Sequence, residues 1–380
     1  MAENQTKIKN YEELIQENEE LKQKLELKNI MLQEVIQTGN HLVNATWRQR
    51  AKDKELEEKH QAVLKDIKDT KAKLEMSEMM LNEASETSTN LVNATWRERK
   101  KLEEKINELH ATLSDLDEKN IFIEKQQKKI SDSISYAKKI QTAMNPSEEQ
   151  IQNAVPGSFV FYQPKDVVSG DFPYFLEVGD YIFIGAIDCT GHGVPGAMLS
   201  MIGKLILNDV ITKMYENGPG FVLDMLHESV VKNLKQDIPE LNTNSGMDMI
   251  LICLNKTNDE LTFSGAHRPL ILIRNGELIE YKGSPFPIGG LQYRKRTPFL
   301  DEVIELQKGD RIYIYSDGYS DQTGGPEGLK YSSGRIKEML QTKTGVPIGE
   351  MRQAIHDDFN DWKGDEHQVD DILMIGIEHQ

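Results

Sequence analysis

The sequence predicts an α+β domain of antiparallel hairpins preceded by a long α-helical coiled coil, and three observations carry that reading. Residues 8–130 contain no proline and one glycine, Gly39, and are rich in Glu, Lys, Gln, Leu and Asn. Beyond Pro156 the chain changes to short β-rich runs joined by tight turns. Acidic residues recur at the ends of those runs, from distant parts of the sequence.

The first half has the composition of a long helix. Leu14, Leu21, Val35, Leu42, Leu56, Val63, Ala84 and Leu91 are separated by multiples of seven, and Leu25, Leu32, Ile67, Leu74, Leu81, Leu102, Leu109 and Leu116 form a second row offset by four. Two such rows are the a and d seam of a coiled coil, which needs a partner helix to bury it, so a homodimer through this segment is expected. KLELKNIMLQEV at 24–35 matches KLEMSEMMLNEA at 73–84, and LVNATWR at 42–48 returns at 91–97. The offset of 49 residues is seven whole heptads, which keeps the seam in phase. Both copies put a threonine, Thr46 or Thr95, on the seam, marking weak spots that set register or offer Trp47 and Trp96 for docking.

A further amphipathic stretch at 130–144 places Ile130, Ile134, Ala137 and Ile140 at helical spacing and is closed by Pro146. It reads as the joint between rod and globule, either a plain connector or a regulatory helix. The organisation is then a coiled-coil region at 1–129 with the internal repeat, a linker helix at 130–146, and a globular domain at 147–380.

In the globular half, FVFYQP, YFLEVGDYIFIGAID, MDMILICLNKTNDELTFSGA, PLILIRNGELIEY, DRIYIYSD and a final DILMIGIE read as strands, with Asn275-Gly276 as a two-residue hairpin turn. Helical periodicity occupies roughly 194–215, 220–237, 334–343 and 348–362. Hairpins with helices inserted in blocks indicate layered α+β architecture and not alternating βαβ units.

A formal charge of −17 argues against nucleic acid as the main partner, because binding phosphates takes clustered Lys and Arg. The two cysteines, Cys189 and Cys253, are too few for a disulfide framework and too far apart for a CxxC metal pair, which fits a reducing cytoplasm. The N-terminal residues lack the apolar core of a signal peptide, and no run approaches the ~18 consecutive apolar residues of a membrane span.

Asp171 opens a strand, Asp188 and Asp317 end strands, and Asp370-Asp371 immediately precede the last one. Carboxylates converging from four places would repel one another unless cations joined them, and all-oxygen clusters suit Mg²⁺ or Mn²⁺. Two such ions can activate water for attack at phosphorus. Taken singly, each aspartate is equally an ordinary turn residue. In AIDCTGHGVPGA at 186–197, Cys189 reads as small buried filler and not as a nucleophile, and His192 can orient substrate or pack structurally. Gly191 and Gly193 let backbone groups approach an ion or a phosphate at the start of a helix. Lys165 and Arg268, the basic residues nearest these motifs, read as surface solubility.

KDVVSGDFPYF, AIDCTGHGVPGAMLSMIG, GMDMILICL, IYSDGYSDQTGG and QVDDILMIGI together resemble, in order, the motifs of the SpoIIE/RsbU-type branch of the metal-dependent PPM (PP2C-like) protein serine phosphatases, from about Ile130 to the C-terminus. The resemblance implies an α-β-β-α sandwich with a centre of two divalent cations, Mn²⁺ or Mg²⁺. It implies hydrolysis of phosphoserine or phosphothreonine on a small partner, usually a STAS-type anti-sigma-factor antagonist. By matching motif, Asp188 is the metal-bridging carboxylate and the Cys189 carbonyl a further ligand. Asp317 with Asp370 or Asp371 serves the second metal, Asp370 being preferred, and Asp171 lies on the first-metal side. Asp248 stands where many relatives have threonine and points into the site or supports it. Pro173 and Thr323 depart from the usual pattern near the site.

Two rival readings keep the same fold: a scaffold whose phosphatase domain is catalytically silent, and a filament-forming rod in which the enzyme is secondary. Retention of all the aspartates favours the enzyme, controlled through the coiled coil and the helix carrying Ile130, Ile134 and Ile140.

Overall fold

The structure is a computed structural model and describes residues 48–77, 79–80 and 89–380 apart from 239–244 and 291–295, with only scattered positions before residue 48. These divide into a helical unit, His41–Ser133, and a globular unit that includes Ile134–Gln380.

The helical unit holds α1 (residues 48–77) and most of α2 (Thr89–Met144). Gln127 Nε2 donates to Asp53 Oδ2 at 2.6 Å. With so short a connection between the helices, residues 53 and 127 can meet only if α2 runs back antiparallel along α1. The shielded positions of the helical unit are 49, 53, 56, 60, 63, 67, 70, 74 and 77 in α1 and 95, 99, 102, 106, 109, 113, 116, 120, 123, 126 and 130 in α2, in the steps of three and four that a heptad seam has. Leu109 and Leu116 are each 5% exposed. Over these residues the partner helix that the seam requires is another part of the same chain. In α2 the companion of the Leu102 row falls at 99, 106 and 113, one residue later than continuation from Leu91 predicts, so the phase is not carried unbroken from α1. Leu14, Leu21, Leu25, Leu32, Val35, Leu42, Leu81 and Ala84 lie outside the described residues.

α2 continues without a break to Met144, so the predicted linker is the end of a longer helix. The globular unit then runs α3 (Glu148–Ala154), β1 (Ser158–Gln163), β2 (Phe172–Val178), β3 (Tyr181–Cys189), α4 (Gly193–Met214), α5 (Gly218–Asn233), β4 (Gly246–Asn255), β5 (Glu260–Ala266), β6 (Leu270–Arg274), β7 (Glu277–Tyr281), β8 (Ile288–Gly289), β9 (Glu302–Glu305), β10 (Arg311–Tyr315), α6 (Gly318–Asp321), β11 (Thr323–Gly324), β12 (Leu329–Lys330), α7 (Ser332–Thr342), α8 (Ile348–Lys363) and β13 (Ile372–Glu378). One sheet has the order β1-β13-β10-β6-β7 and the other β2-β3-β4-β5-β9, with β8 on the edge of β4. The pairings within both are antiparallel. The β6–β7 turn is the Asn275-Gly276 hairpin, with φ of 52° and 80° as a type I′ turn needs.

Three apolar layers follow from strand alternation. Ile182, Ile184, Ile250 and Ile252 face Leu272, Ile312, Ile314 and Ile375 between the sheets. The opposite faces of β3 and β4, with Phe183, Ile187 and Leu251, pack on Leu207, Ile211, Val222 and Leu226 of α4 and α5. The outer face of the other sheet, with Phe161, Ile271 and Tyr313, packs on Ile336, Leu340, Ile355 and Phe359 of α7 and α8. Both faces of each sheet are covered, which is why the central strands read as near-continuous apolar runs. The order helix, sheet, sheet, helix is the α-β-β-α sandwich that the motif resemblance implies. The run Gly193–Asn233 has the length and hydropathy of a membrane span, but Leu207, Ile211, Val222 and Leu226 of this run pack on the sheet beneath it.

Candidate active site

The site is built from strand ends. β3 ends at Asp188-Cys189, and the β3–β4 register sets Asp188 directly opposite Asp248. β10 pairs antiparallel with β13, so the end of one meets the start of the other, and Ser316 N donates to Leu373 O at 2.9 Å. Asp317 therefore lies beside Asp370-Asp371. Only glycine fits after Asp317, because a Cβ on Gly318 would run into the Asp371 carbonyl oxygen. Aspartates from both sheets thus collect at one edge of the sandwich.

Arg268, in the β5–β6 turn, lies among them. Its Nη2 is 2.9 Å from Asp188 Oδ2, 2.6 Å from Asp317 Oδ2 and 3.2 Å from Asp248 Oδ2. The side chain is 17% exposed, which overturns the expectation of a surface solubility residue. Burial opposes its charge, but Asp317, Asp188 and Asp248 outweigh burial and hold the guanidinium above its ordinary range. Asp248 Oδ1 also meets His267 Nδ1 at 3.0 Å, so Asp248 braces the cluster from behind. The sequence signal missed was the dipeptide His267-Arg268, in a two-strand turn whose register brings it to the start of β4.

Burial, then the charge of Asp317, pushes the Asp188 carboxyl well above the usual carboxylate range. Asp171, 3% exposed, is pushed up by burial and then by Asp188, and its Oδ2 has no partner among the described residues. Asp248 and Asp370 are raised as well, burial being the main cause in each. Asp371 differs from its neighbour: its two oxygens accept the backbone N–H groups of Lys165 and Gly170, both at 2.8 Å. It ties the β1–β2 connection to β13, whereas Asp370 Oδ1 accepts the Asp371 N–H.

The loop after β3 carries the remaining predicted residues. Burial raises the Cys189 thiol well above its usual value, so it stays protonated and inert. Gly191 and Gly193 have φ of 86° and 67°. His192, at the start of α4, is half exposed, with Nδ1 2.9 Å from Asp166 Oδ2 and Nε2 3.1 Å from Lys165 Nζ.

Sequence reading also missed Gln141. It is buried at 5% exposure, and it grips Ser169 twice: Nε2 donates to Ser169 O at 2.6 Å and Oε1 accepts from Ser169 N at 3.1 Å. Ser200 Oγ takes a further bond from Nε2 at 3.0 Å. Lys204 donates to the Met144 carbonyl at the helix end, and burial brings its ammonium down to about 8. Ile134 and Ala137 are part-shielded, but Ile140 is 41% exposed, and Gln141 takes the inward position. A polar residue continuing the spacing of 130, 134 and 137 was the available signal.

The donors fit hard divalent cations. Asp171, Asp188, Asp317 and Asp370 offer carboxylate oxygens, the Cys189 carbonyl is at the same strand end, and the orphaned Asp171 Oδ2 is a buried acceptor awaiting a positive partner. As placed, Asp188, Asp317 and Asp248 stand around the Arg268 nitrogen, and among the described residues no three His, Cys, Asp or Glu side chains are gathered closely enough to hold an ion.

Sandwich and acidic edge together define a PP2C-like phosphatase fold. The model of the Stage II sporulation protein E family (SpoIIE) matches residues 179–380, more than half of the sequence, and the chain belongs to that family. It is similar to the SiaA-PP2C domain of Pseudomonas aeruginosa, with 30% identity over 67% of this chain and 99% of that one and a TM-score of 0.59. The PP2C phosphatase domain with a regulatory-domain fragment of SpoIIE from Bacillus subtilis is 15% identical over 58% of this chain and 61% of that one, with a TM-score of 0.47. No curated protein matches the sequence.

Proposed function

We propose that the chain is a metal-dependent protein serine/threonine phosphatase acting on a small regulatory phosphoprotein, with a STAS-type anti-sigma-factor antagonist as the substrate class. The observation that carries it is the meeting of Asp188, from one sheet, with Asp317, from the other, at a single nitrogen. Asp188, the Cys189 carbonyl, Asp171, Asp317 and Asp370 would hold the ions. Bound there, two Mn²⁺ or Mg²⁺ ions supply activated water and neutralise charge on the phosphoryl oxygens. Asp371 fixes the loop that leads to Asp171. His192, held by Asp166 at the rim, orients the phosphorylated segment of the partner.

Control runs through the end of α2, the helix carrying Ile130, Ile134 and Ile140. Gln141 joins it to Ser169, two residues from Asp171, so a shift of the helix moves a site carboxylate. The seam over α1 and α2 is shielded within one chain, so a homodimer through the coiled coil uses the segment ahead of residue 48 or exchanges helices between chains. Two buried free thiols support a cytoplasmic setting.

Arg268 amid the aspartates is the feature that favours the rival reading, a silent binding module. Mn²⁺-dependent release of phosphate from a generic phosphoester, abolished in Asp188→Asn, separates the two, no turnover with any metal favouring the silent module; an Asp317→Ala substrate trap that never captures a phosphorylated STAS-type protein removes the assumed substrate class.

A further inference from the structure

This inference rests on the phosphatase reading and concerns what that site must do before it takes a metal. A Mg²⁺-sized ion ligated by Asp188 and Asp317 would lie about 2.0–2.1 Å from their oxygens. The Arg268 Nη2 already lies 2.9 and 2.6 Å from Oδ2 of each. An ion ligated by both Oδ2 atoms would need the space between them that Nη2 fills, and two positive centres there would repel each other. We propose that Arg268 is a built-in competitor for the metal centre: its guanidinium spans the Asp188–Asp317 gap, must swing out before a divalent cation can take both carboxylates, and so sets the metal affinity of the enzyme.

Two features pin the backbone of this turn, so that any displacement of the guanidinium falls to side-chain rotation. The carbonyl of Arg268 is packed so closely against Gly265 and Gly283 that a Cβ at either would collide with it. His267 is held at φ 61°, with its N–H bonded to Ser284 O at 2.8 Å, which anchors the turn next door. The guanidinium has rotamer freedom beyond this fixed point.

The inward pose is also incomplete. Nη2 serves three carboxylates while the buried Nε has no partner among the described residues, so the pose forfeits one desolvated donor. Asp248 gives the departing group somewhere to stay. It is the longest of the three contacts, and its other oxygen is engaged by His267, which ties Asp248 to the turn carrying Arg268. Arginine keeps its charge at any working pH, so it releases the carboxylates only by moving.

The test is Mn²⁺ titration of the full chain by calorimetry, with wild type, Arg268→Met and Arg268→Gln, alongside thermal melting in chelator. Both variants are expected to bind Mn²⁺ about ten-fold or more tightly than wild type, since a charge held within hydrogen-bond distance no longer has to be displaced. They are also expected to melt lower than wild type in chelator and to gain more on Mn²⁺ addition. Folded variants whose Mn²⁺ affinity equals or falls below that of wild type overturn the inference and leave the phosphatase reading intact. If both fail to fold in chelator, recovery on adding Mn²⁺ supports the counter-ion role, and failure to recover overturns it. Wild type that takes up no Mn²⁺ removes the phosphatase reading and the inference together.

Discussion

Asp188 and Asp317 belong to opposite sheets of the sandwich, yet both accept a hydrogen bond from the same Nη2 of Arg268, at 2.9 and 2.6 Å. The acidic edge is therefore a property of how the two sheets stack, not of either alone. Whatever displaces one sheet, or the loops that lead into it, displaces the site.

The loop leading to Asp171 is the part most open to such control, because Gln141 holds it through both backbone groups of Ser169. Gln141→Leu leaves the buried Ser169 N–H unpaired, at a cost of about 1–3 kcal/mol before relaxation, and leaves its carbonyl only the long 3.4 Å bond from Ser200 Oγ. The expected outcome is a lower melting temperature together with weaker Mn²⁺ binding, read by calorimetry. Unchanged Mn²⁺ binding would mean that α2 does not act on the site through this contact.

Asp171 gives a pH prediction. Its folded pKa is raised, so the stability this carboxyl contributes is complete below its ordinary value of about 3.9 and is lost as pH rises through the raised value. In chelator, Asp171→Asn should gain on wild type as pH rises above the ordinary carboxylate range and lose that advantage as pH falls back through it, since each tenfold difference in proton affinity between the folded and unfolded chain is worth about 1.4 kcal/mol. Adding Mn²⁺ should raise the wild-type midpoint more than that of the variant. Melting curves across a pH series, with and without metal, check the sign.

Gly318→Ala tests the close approach that sets Asp317 beside Asp370-Asp371. Its added methyl meets the Asp371 carbonyl, so the turn must open. A destabilisation of about 1–3 kcal/mol is expected from such overpacking, with a loss of Mn²⁺ affinity, measured by denaturant melts and calorimetry.

The strands, the helix blocks and the strand-end aspartates were legible in the sequence because period-two alternation and acidic punctuation are local signals. Asp188, Asp317 and Asp370 stand at strand ends because β3, β10 and β13 were each readable alone. Arg268 and Gln141 were not, since both matter through contacts across 49 and 28 residues of sequence. A charged residue in a turn and a glutamine on a helix look like solvated surface until the register places them. The seam itself was visible in Leu102, Leu109 and Leu116, but its partner was not, because heptads state what must be covered and not by which chain.

That partner can be tested at Leu116, which is 5% exposed in the single chain. Leu116→Ala in the full-length protein should cost about 2–5 kcal/mol in the helical unit. Loss of ellipticity at lower temperature, independent of protein concentration, is the expected result for pairing within one chain. A melting point that climbs with concentration would assign the seam to two chains.

The most direct measurement is Mn²⁺-dependent release of phosphate from p-nitrophenyl phosphate and from a phosphoserine peptide, comparing wild type with Asp188→Asn. Turnover that requires Mn²⁺ or Mg²⁺ and falls by about 10³-fold or more in the variant, several kcal/mol of lost transition-state stabilisation, is what the account predicts. Hydrolysis that survives in Asp188→Asn, or its absence from wild type with every divalent cation supplied, would contradict it.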